Sequence, residues 1–175
     1  EPVLPGKLIE QAVSMIKKEA ENRDIQLHVD LDEGIGEINV DKSRISQVLL
    51  NLLTNAIKFT PSAGRVNVQL YRLSDRTDWV GISVRDNGRG IPEDQLPYIF
   101  RRYFQVSASS HEQQQGFGLG LYLSREVVQL HGGDIEVESS PDTGSVFRVL
   151  LPVKQAFIKD KRGKKKKSHL FVANR

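Results

Sequence analysis

The feature that most constrains the fold of this chain is an amphipathic segment, residues 43–60, with the sequence SRISQVLLNLLTNAIKFT. At about 100° per residue, Asn51, Asn55 and Lys58 lie together on the flank of its apolar stripe. A helix that fills a core by one face therefore also presents two amides and an ammonium group at its edge. The stripe itself recurs at intervals of three and four residues, which is the helical period, and consists of Ile45, Val48, Leu49, Leu52, Leu53, Ala56 and Ile57.

The polar flank of this helix has two interpretations. Amide oxygens are hard ligands that suit Mg²⁺, and the compact charge of Lys58 suits a phosphate group. The same three side chains also fit a helix edge that is simply exposed to solvent. The helix alone does not decide between a ligand site and a solvated edge.

Patterns on either side of this helix predict an α+β domain. The order of elements is α, β, β, α, β, β, α, β, β, and most of the strands are linked as hairpins. This order predicts a two-layer α/β sandwich, with one mixed, mostly antiparallel sheet of about five or more strands and about three helices on one face. The other predicted helices cover residues 5–22 and 120–130, and the predicted strands cover 25–31, 37–40, 65–73, 79–85, 134–139 and 145–151.

A first glycine motif, Asp86-Asn87-Gly88-Arg89-Gly90, follows directly on a predicted strand. A carboxylate at a strand end can accept a hydrogen bond from an exocyclic amine such as that of adenine. The two glycines would let the backbone approach a flat ring without interference from a Cβ atom. A plain Asn-Gly turn after a strand explains the same five residues.

A second glycine motif, Gly116-Phe117-Gly118-Leu119-Gly120, opens the third helix. Backbone N–H groups at a helix start can cradle phosphate, although a hinge would also use glycine here. The motif does not follow a strand, as a Rossmann fingerprint does, and the chain has no Walker loop. The preceding residues 105–115, QVSASSHEQQQ, are almost free of apolar side chains, so we expect them to form a mobile lid.

Charge divides the chain into two parts. Residues 154–175 carry nine Lys or Arg and one acid, so residues 1–153 have a net charge of −5 although the whole chain is +3. This predicts a folded domain at 1–152 and a basic, disordered tail or linker at 153–175, and it does not support a nucleic-acid surface on the domain. The chain contains no cysteine, and no apolar run reaches the length of a membrane span. Because it begins with Glu1, we expect it to be part of a longer protein.

Four motifs in the chain together resemble the catalytic ATP-binding domain of sensor histidine kinases, in the superfamily shared with DNA gyrase, Hsp90 and MutL. Residues 51–59 (NLLTNAIKF) resemble the N box, and residues 86–91 (DNGRGI) resemble the G1 box. Residues 99–105 (IFRRYFQ) resemble the F box, and residues 116–121 (GFGLGL) resemble the G2 box. Four motifs in the right order and spacing over residues 1–152 are a specific signature. The resemblance implies a Bergerat-type ATP-binding fold.

The resemblance also implies roles for individual residues. Asn55, supported by Asn51, would hold Mg²⁺, and Lys58 would contact phosphate oxygens, so Asn55 and Lys58 are the catalytic candidates. Asp86 would bind the adenine amine. The residues that the resemblance assigns to the nucleotide are Asn51, Asn55, Lys58, Phe59, Asp86, Gly88, Gly90, Ile91, Phe104, Gln105, Gly116, Phe117, Gly118, Leu119, Gly120, Leu121 and Ser145.

Three positions depart from the family pattern. Gln105 stands where the F box usually ends in a basic residue, so either Arg101 or Arg102 replaces that phosphate contact or phosphoryl transfer is weaker. Phe117 stands where threonine is frequent, which removes one hydroxyl group from the phosphate loop. Asp142 replaces the first glycine of the last glycine motif.

The function implied by the resemblance is binding of Mg-ATP and donation of its γ-phosphoryl group to a histidine on a separate dimerisation domain. The implied cofactors are ATP and Mg²⁺, and the implied partners are that dimerisation domain and a response regulator. We expect a cytoplasmic domain that is monomeric by itself, belongs to a homodimeric protein and contacts no membrane. The alternatives are a degenerate nucleotide-binding module without transfer, or a gyrase- or chaperone-type ATPase. In those ATPases a glutamate base stands at the position of Asn51, and an amide cannot act as that base.

None of the four histidines is predicted to be the phosphoryl acceptor. Ser110-His111-Glu112 resembles the start of the family's acceptor motif, but three glutamines follow it and no apolar face accompanies it. His28, His131 and His169 need no catalytic role in this interpretation. We therefore expect the acceptor to lie outside this sequence, before the first helix.

Overall fold

The computed structural model describes residues 1–106 and 117–154, together with the backbone of two short strands near the C-terminus. Three helices are present among these residues: α1 (Pro5–Asn22), α2 (Lys42–Phe59) and α3 (Gly120–Leu130). A single 3₁₀ turn covers Leu96–Tyr98. The strands are β1 (Pro2–Val3), β2 (Gln26–Leu31), β3 (Ile38–Asn39), β4 (Arg65–Arg72), β5 (Trp79–Asp86), β6 (Asp134–Ser140), β7 (Gly144–Pro152), β8 (Phe157–Lys159) and β9 (Lys165–Lys167).

The main sheet has five strands in the order β2-β4-β5-β7-β6. Only β2 and β4 run parallel, and the remaining neighbours are antiparallel. The predicted mixed, mostly antiparallel sheet is therefore confirmed. Two small antiparallel pairs, β1 with β3 and β8 with β9, lie outside this sheet. The sequence did not predict β1, nor the β8–β9 pair within the segment interpreted as a tail.

The core lies between one face of the sheet and the three helices. Alternate residues of β4 are buried there, as period-two patterning requires, whereas β5 is buried at five consecutive residues, 80–84, and exposes Arg85. All seven apolar residues predicted for the stripe of α2 are buried, which confirms the helix and its face. Burial of a large aliphatic side chain stabilises the fold by about 1.5–3 kcal/mol, so α2 is the central element of the core.

The start of α2 is attached to the end of α3 by a buried histidine. Asp41 caps α2 by accepting from the Arg44 N–H at 3.0 Å, which holds the pKa of its carboxyl group below the usual value. The Asp41 N–H donates to Nε2 of His131 at 2.9 Å, and Nδ1 of His131 lies 2.7 Å from the Val127 carbonyl oxygen. Because Nε2 accepts, Nδ1 carries the proton. This pairing fixes α2 and α3 relative to each other, and both helices contribute to the site below.

None of the helices in the described ranges combines the length and the apolar character that a membrane crossing requires. Most of the predicted lid, residues 107–115, lies outside the residues that the structure describes, and so does the candidate histidine at position 111.

Candidate functional site

A cavity of about 1030 Å³ opens between α2, the end of β5 and the start of α3. This volume is at the upper end of the range of about 300–1,000 Å³ that is typical of ligand pockets. Every predicted site residue except Gly116 lines it, and Gly116 lies outside the described residues. The remaining lining residues are not among the predicted ones, and they are Arg23, Ala56, Thr60, Pro61, Asn87, Arg89, Ile99, Val106, Asp142 and Phe147.

One end of the cavity is built around the carboxyl group of Asp86, whose residue is only 7% exposed. Its Oδ1 accepts from the Gly88 N–H at 2.8 Å and from the Ser145 N–H at 3.3 Å. Burial raises the pKa of Asp86, and the two backbone hydrogen bonds oppose that rise. Because both backbone donors use Oδ1, Oδ2 is the oxygen that can accept from a ligand. We call this region the carboxylate end.

The glycines at the carboxylate end are required by the protein's own backbone. A Cβ atom on Gly88 would lie 2.3 Å from the Phe59 carbonyl oxygen, and one on Gly90 would lie 1.9 Å from that of Ser140. Gly90 also has φ +69°, a backbone conformation that favours glycine. The sequence suggested that these glycines make room for a flat ring. In the structure they make room for neighbouring segments of the chain.

Another part of the cavity carries the polar flank of α2, and we call it the amide end. Asn51, Asn55 and Lys58 are all partly buried and line the cavity. The Asn51 amide donates to the hydroxyl oxygen of buried Ser124 in α3 at 2.9 Å. A Cβ atom on Gly120 would lie 2.3 Å from the Asn51 amide oxygen. Asn51 therefore also attaches α2 to the start of α3.

The glycine segment before α3 is held against the predicted F box. Gly118 has φ +66°, and its carbonyl oxygen accepts from the Tyr103 N–H at 2.9 Å. A Cβ atom on Gly118 would lie 2.7 Å from the Phe104 carbonyl oxygen. This attachment places the first turn of α3, with its unpaired backbone N–H groups, beside the amide end, where an anion would be favoured. Phe117 is 85% exposed at the mouth of the cavity.

The two arginines considered as substitutes for a basic residue at position 105 lie outside the cavity wall. Arg101 stacks on the Tyr98 ring at 4.5 Å, and Arg102 donates to the Tyr122 hydroxyl group at 2.6 Å. Neither arginine lines the cavity, so the structure does not support the idea that one of them replaces a basic residue at position 105.

Arg89 lines the cavity instead, with its guanidinium carbon 4.6 Å from the centroid of the Phe59 ring. Lys58 Nζ lies 5.1 Å from the same centroid. Both distances are within the range of cation–π attraction. The sequence offered one signal for Arg89, its place inside the first glycine motif, and none for Arg23 at the end of α1.

A divalent metal at this site would depend on amide oxygens. Within the described residues, no group of three or more His, Cys, Asp or Glu side chains is arranged to hold a metal ion. The Thr60 hydroxyl is buried in the cavity wall without a hydrogen-bond partner. An acceptor in one part of the cavity, amides with a cation in another, and an unsatisfied hydroxyl in the wall fit a ligand that has both a donor group and an anion.

Comparison with known proteins agrees with this geometry. Residues 40–155 match the family model described as histidine kinase-, DNA gyrase B- and HSP90-like ATPase. The adaptive-response sensory kinase SasA of Prochlorococcus marinus (strain MIT 9303) is 39% identical over 150 residues, which are 86% of this chain and 40% of that protein. The circadian input-output histidine kinase CikA of Synechococcus elongatus is 37% identical over 153 residues, which are 86% of this chain and 20% of that protein.

Solved structures resemble the chain along nearly the whole of their length. The mycobacterial sensor histidine kinase MprB is 28% identical with a TM-score of 0.77, and the match covers 88% of this chain and 99% of that one. The catalytic domain of histidine kinase ThkA is 27% identical with a TM-score of 0.76, covering 88% and 97% respectively. The chain thus corresponds to one domain of these proteins and spans less than half of the two curated relatives.

Proposed function

The chain belongs to the family of histidine kinase-, DNA gyrase B- and HSP90-like ATPases, and from this premise we propose that its cavity binds ATP with Mg²⁺. We further propose that the domain donates the γ-phosphoryl group to a histidine of a separate domain of a two-component sensor kinase. One observation carries this proposal: a single cavity has a buried carboxylate at one end and an amide-lysine helix with a glycine segment at the other.

The two ends of the cavity would divide the nucleotide between them. Asp86 Oδ2 would accept from the exocyclic amine of adenine, beside Ile91 and Gly90. Lys58 would contact phosphate oxygens, and the backbone at the start of α3 would surround them. Phe59 and Phe104 also line the cavity, where they would pack against the nucleoside.

The metal ion would be held by Asn55 with support from Asn51. Held by these amides, Mg²⁺ would supply positive charge against the charge that develops on the transferred group. Asn51 already donates to Ser124, which orients its amide and turns the oxygen toward the start of α3. Asn55 is one helical turn further along the same face and has no such contact with Ser124, so it is the better placed of the two to follow the ligand.

Transfer is favoured over hydrolysis by the residues at the amide end. Two carboxylates line the cavity, Asp86 and Asp142. Asp86 is at the carboxylate end, and the Asp142 N–H donates to the Arg89 carbonyl oxygen at 2.8 Å, in the same region. Within residues 1–106 and 117–154, the amide end thus has no lining carboxylate to activate a water molecule. Low intrinsic ATP hydrolysis follows, and positioning serves transfer to an external acceptor.

The partners, oligomeric state and location of the parent protein are proposed from its relatives, because they concern more than this chain. A ThkA structure contains that kinase in complex with the response regulator protein TrrA. By analogy we propose a response-regulator partner, a dimerisation domain that supplies the acceptor histidine, and a homodimeric parent protein. A cytoplasmic location, where ATP is available, belongs to the same proposal.

A second candidate function is nucleotide binding without transfer. Gln105 and Asp142 line the cavity at positions where the family usually has a basic residue and a glycine. In that case the bound nucleotide would order the domain, and the conformation of the domain alone would carry the signal.

The test uses both this chain and the longer protein to which it belongs. Calorimetry of the chain with a non-hydrolysable ATP analogue and Mg²⁺ should show one binding site. The full-length protein incubated with γ-labelled ATP should acquire acid-labile, alkali-stable label, as phosphohistidine does, and Asn55→Ala should abolish it. Binding without label would support the second candidate function, and absence of binding would reject both.

A further inference from the structure

A groove lies on the face of the main sheet that points away from the helices. Its volume is about 470 Å³, which is within the range of about 300–1,000 Å³ that is typical of small-ligand sites. Of the described residues that line it, only Val146 has an apolar side chain, so the groove suits a polar ligand. We call it the sheet groove, and its lining residues include Arg65, Asn67, Arg85 and Glu138.

The sheet groove and the cavity share part of one wall but open on opposite faces of the sheet. Successive side chains of a strand point to opposite faces. The carboxyl group of Asp86 belongs to the cavity, so Arg85, one residue earlier in β5, points to the sheet groove. Neither Arg65 nor Arg85 lines the cavity. A ligand in the sheet groove would therefore be separate from the nucleotide.

Three donor side chains are close neighbours in the sheet groove. Asn67 and Arg85 stand directly opposite each other in β4 and β5, where Cβ atoms lie about 4.5–5.5 Å apart. Arg65 is on the same face of β4 two residues before Asn67, at about 7 Å. The Arg65 N–H donates to Asn87 Oδ1 at 2.7 Å, and its carbonyl oxygen accepts from the Asn87 N–H at 3.3 Å. These two bonds fix the start of β4 against the end of β5, and with it the spacing of the two arginines.

The two guanidinium groups of the sheet groove are only weakly compensated. Within residues 1–106 and 117–154, neither Arg65 nor Arg85 forms an ion pair. Glu138 lines the sheet groove but accepts from Arg148 at 2.9 Å. That hydrogen bond, with a smaller contribution from the charge of Arg85, holds the pKa of Glu138 below its usual value. Guanidinium groups keep their charge at any physiological pH, so the two arginines repel each other and an anion between them would relieve the repulsion.

We propose that the sheet groove is a second binding site, and that it takes a small oxyanion with two negative charges, a dicarboxylate or a phosphate ester. Guanidinium groups bind carboxylates and phosphates through paired hydrogen bonds, and Asn67 adds an amide donor between the two arginines. A dianion can engage Arg65 and Arg85 together, whereas a monoanion leaves one of them without a partner. This inference goes beyond the proposed function and does not depend on it.

The test titrates the whole chain, without nucleotide, with succinate and with inorganic phosphate at constant ionic strength and mildly alkaline pH. Backbone amide shifts in NMR spectra locate the bound anion. We expect the amides of Asn67, Arg85 and Val146 to shift and to saturate with a dissociation constant on the order of 1 mM. A response to succinate alone identifies a dicarboxylate site, a response to phosphate alone a phosphate-ester site, and a response to both a site that reads the shared charge. Acetate should not saturate these shifts.

Three variants test whether the two arginines form the site. Arg65→Gln and Arg85→Gln each remove one guanidinium group and should raise the dissociation constant about tenfold, because a charge-assisted hydrogen bond is lost. Arg72→Gln is the matched control, since Arg72 is also exposed in β4 but does not line the sheet groove, and it should bind as the wild type does.

Three outcomes would overturn the inference, namely the absence of saturable shifts in the sheet groove, an equal response to acetate, and an equal loss in Arg72→Gln. Shifts confined to Lys58 and the start of α3 would place the anion in the cavity. That result would also overturn the inference, and it would leave the proposed function standing. The wild-type shifts give this answer even if an arginine variant folds poorly.

Discussion

The two ends of the cavity are built in different ways. At the carboxylate end, Asp86 and Ser145 are buried and held by backbone and hydroxyl hydrogen bonds from β5, β6 and the turn between β6 and β7. At the amide end, Asn51, Asn55 and Lys58 are partly exposed side chains of one helix. The first arrangement exists before any ligand binds, so it loses little conformational freedom on binding. The second can adjust to phosphates and an ion.

This difference predicts which substitutions separate binding from folding. A buried wall whose side chains are held by hydrogen bonds keeps its shape when a substitution removes one acceptor but preserves the contacts with the backbone. A flank of half-exposed side chains contributes little to folding except through Asn51, which connects two helices. Substitutions at four positions, described below, test this division.

The largest effect is expected from Asp86→Asn at the carboxylate end. The amide oxygen can still accept from Gly88 and Ser145, but its NH₂ group then faces the adenine amine, donor against donor. Loss of a hydrogen bond to a charged group costs about 1.5–3 kcal/mol, so affinity for ATP should fall on the order of 100-fold by calorimetry. Asp24→Asn is the matched control, since Asp24 has φ +56°, which Asn tolerates, and does not line the cavity, so it should change affinity less than about threefold.

The same variant should not lose stability at neutral pH. The pKa of Asp86 is raised in the folded state by burial, so its contribution to stability is present below the unfolded pKa and is lost as pH rises through the folded pKa. At pH 7 the buried carboxylate is therefore a cost that asparagine removes. The Tm of Asp86→Asn should equal or exceed that of the wild type at pH 7. The difference between the two Tm values should shrink as the pH falls. A large drop in Tm at pH 7 would mean that the carboxylate end is not preformed.

The next effect concerns the junction between the amide end and α3. A methyl group on Gly120 would displace the Asn51 amide and leave the buried Ser124 hydroxyl unpaired. An unsatisfied buried group costs about 1–3 kcal/mol, so Gly120→Ala should lower the free energy of unfolding by about 2 kcal/mol in urea titrations. In an Asn51→Ala background the same change should cost much less. Equal costs in both backgrounds would show that Asn51 is not the obstacle.

A smaller effect is expected when the amide end loses its ion ligand. Asn55→Ala should weaken binding of the ATP analogue about tenfold in the presence of Mg²⁺ and very little in EDTA, because the amide acts through the metal. Thr54→Ala is the control on the exposed side of the same helix and should bind as the wild type does. Tm should change little in either variant. A loss of affinity that is the same with and without Mg²⁺ would argue against a metal role for Asn55.

How far the sequence could predict this site also differs between the two ends. The period of α2 placed Asn51, Asn55 and Lys58 on one flank, because neighbours on a helix follow from sequence spacing alone. The residue patterns around Asp86 and the glycine segments left two interpretations open, and the resemblance to a family favoured the nucleotide site. The contact between the Ser139 and Ser145 hydroxyl groups follows from the register of β6 against β7, and the His131–Asp41 contact spans 90 residues, so neither has a local signature. Long-range side-chain pairs of this kind appear only once the fold is known.

The smallest effect is expected at Thr60, whose hydroxyl is buried and unpaired in the cavity wall. Among the described residues, its hydroxyl is the one buried side-chain polar atom without a hydrogen-bond partner. Thr60→Val removes that unpaired group while it keeps the methyl contact beside Gly64, so the nucleotide-free chain should be stabilised by up to ~1 kcal/mol. Thr143→Val removes a hydroxyl group that donates to the Ser140 carbonyl oxygen and should not stabilise the chain. If Thr60→Val lowers Tm instead, water or a ligand satisfies this hydroxyl, and the wall is less complete before binding than its other hydrogen bonds suggest.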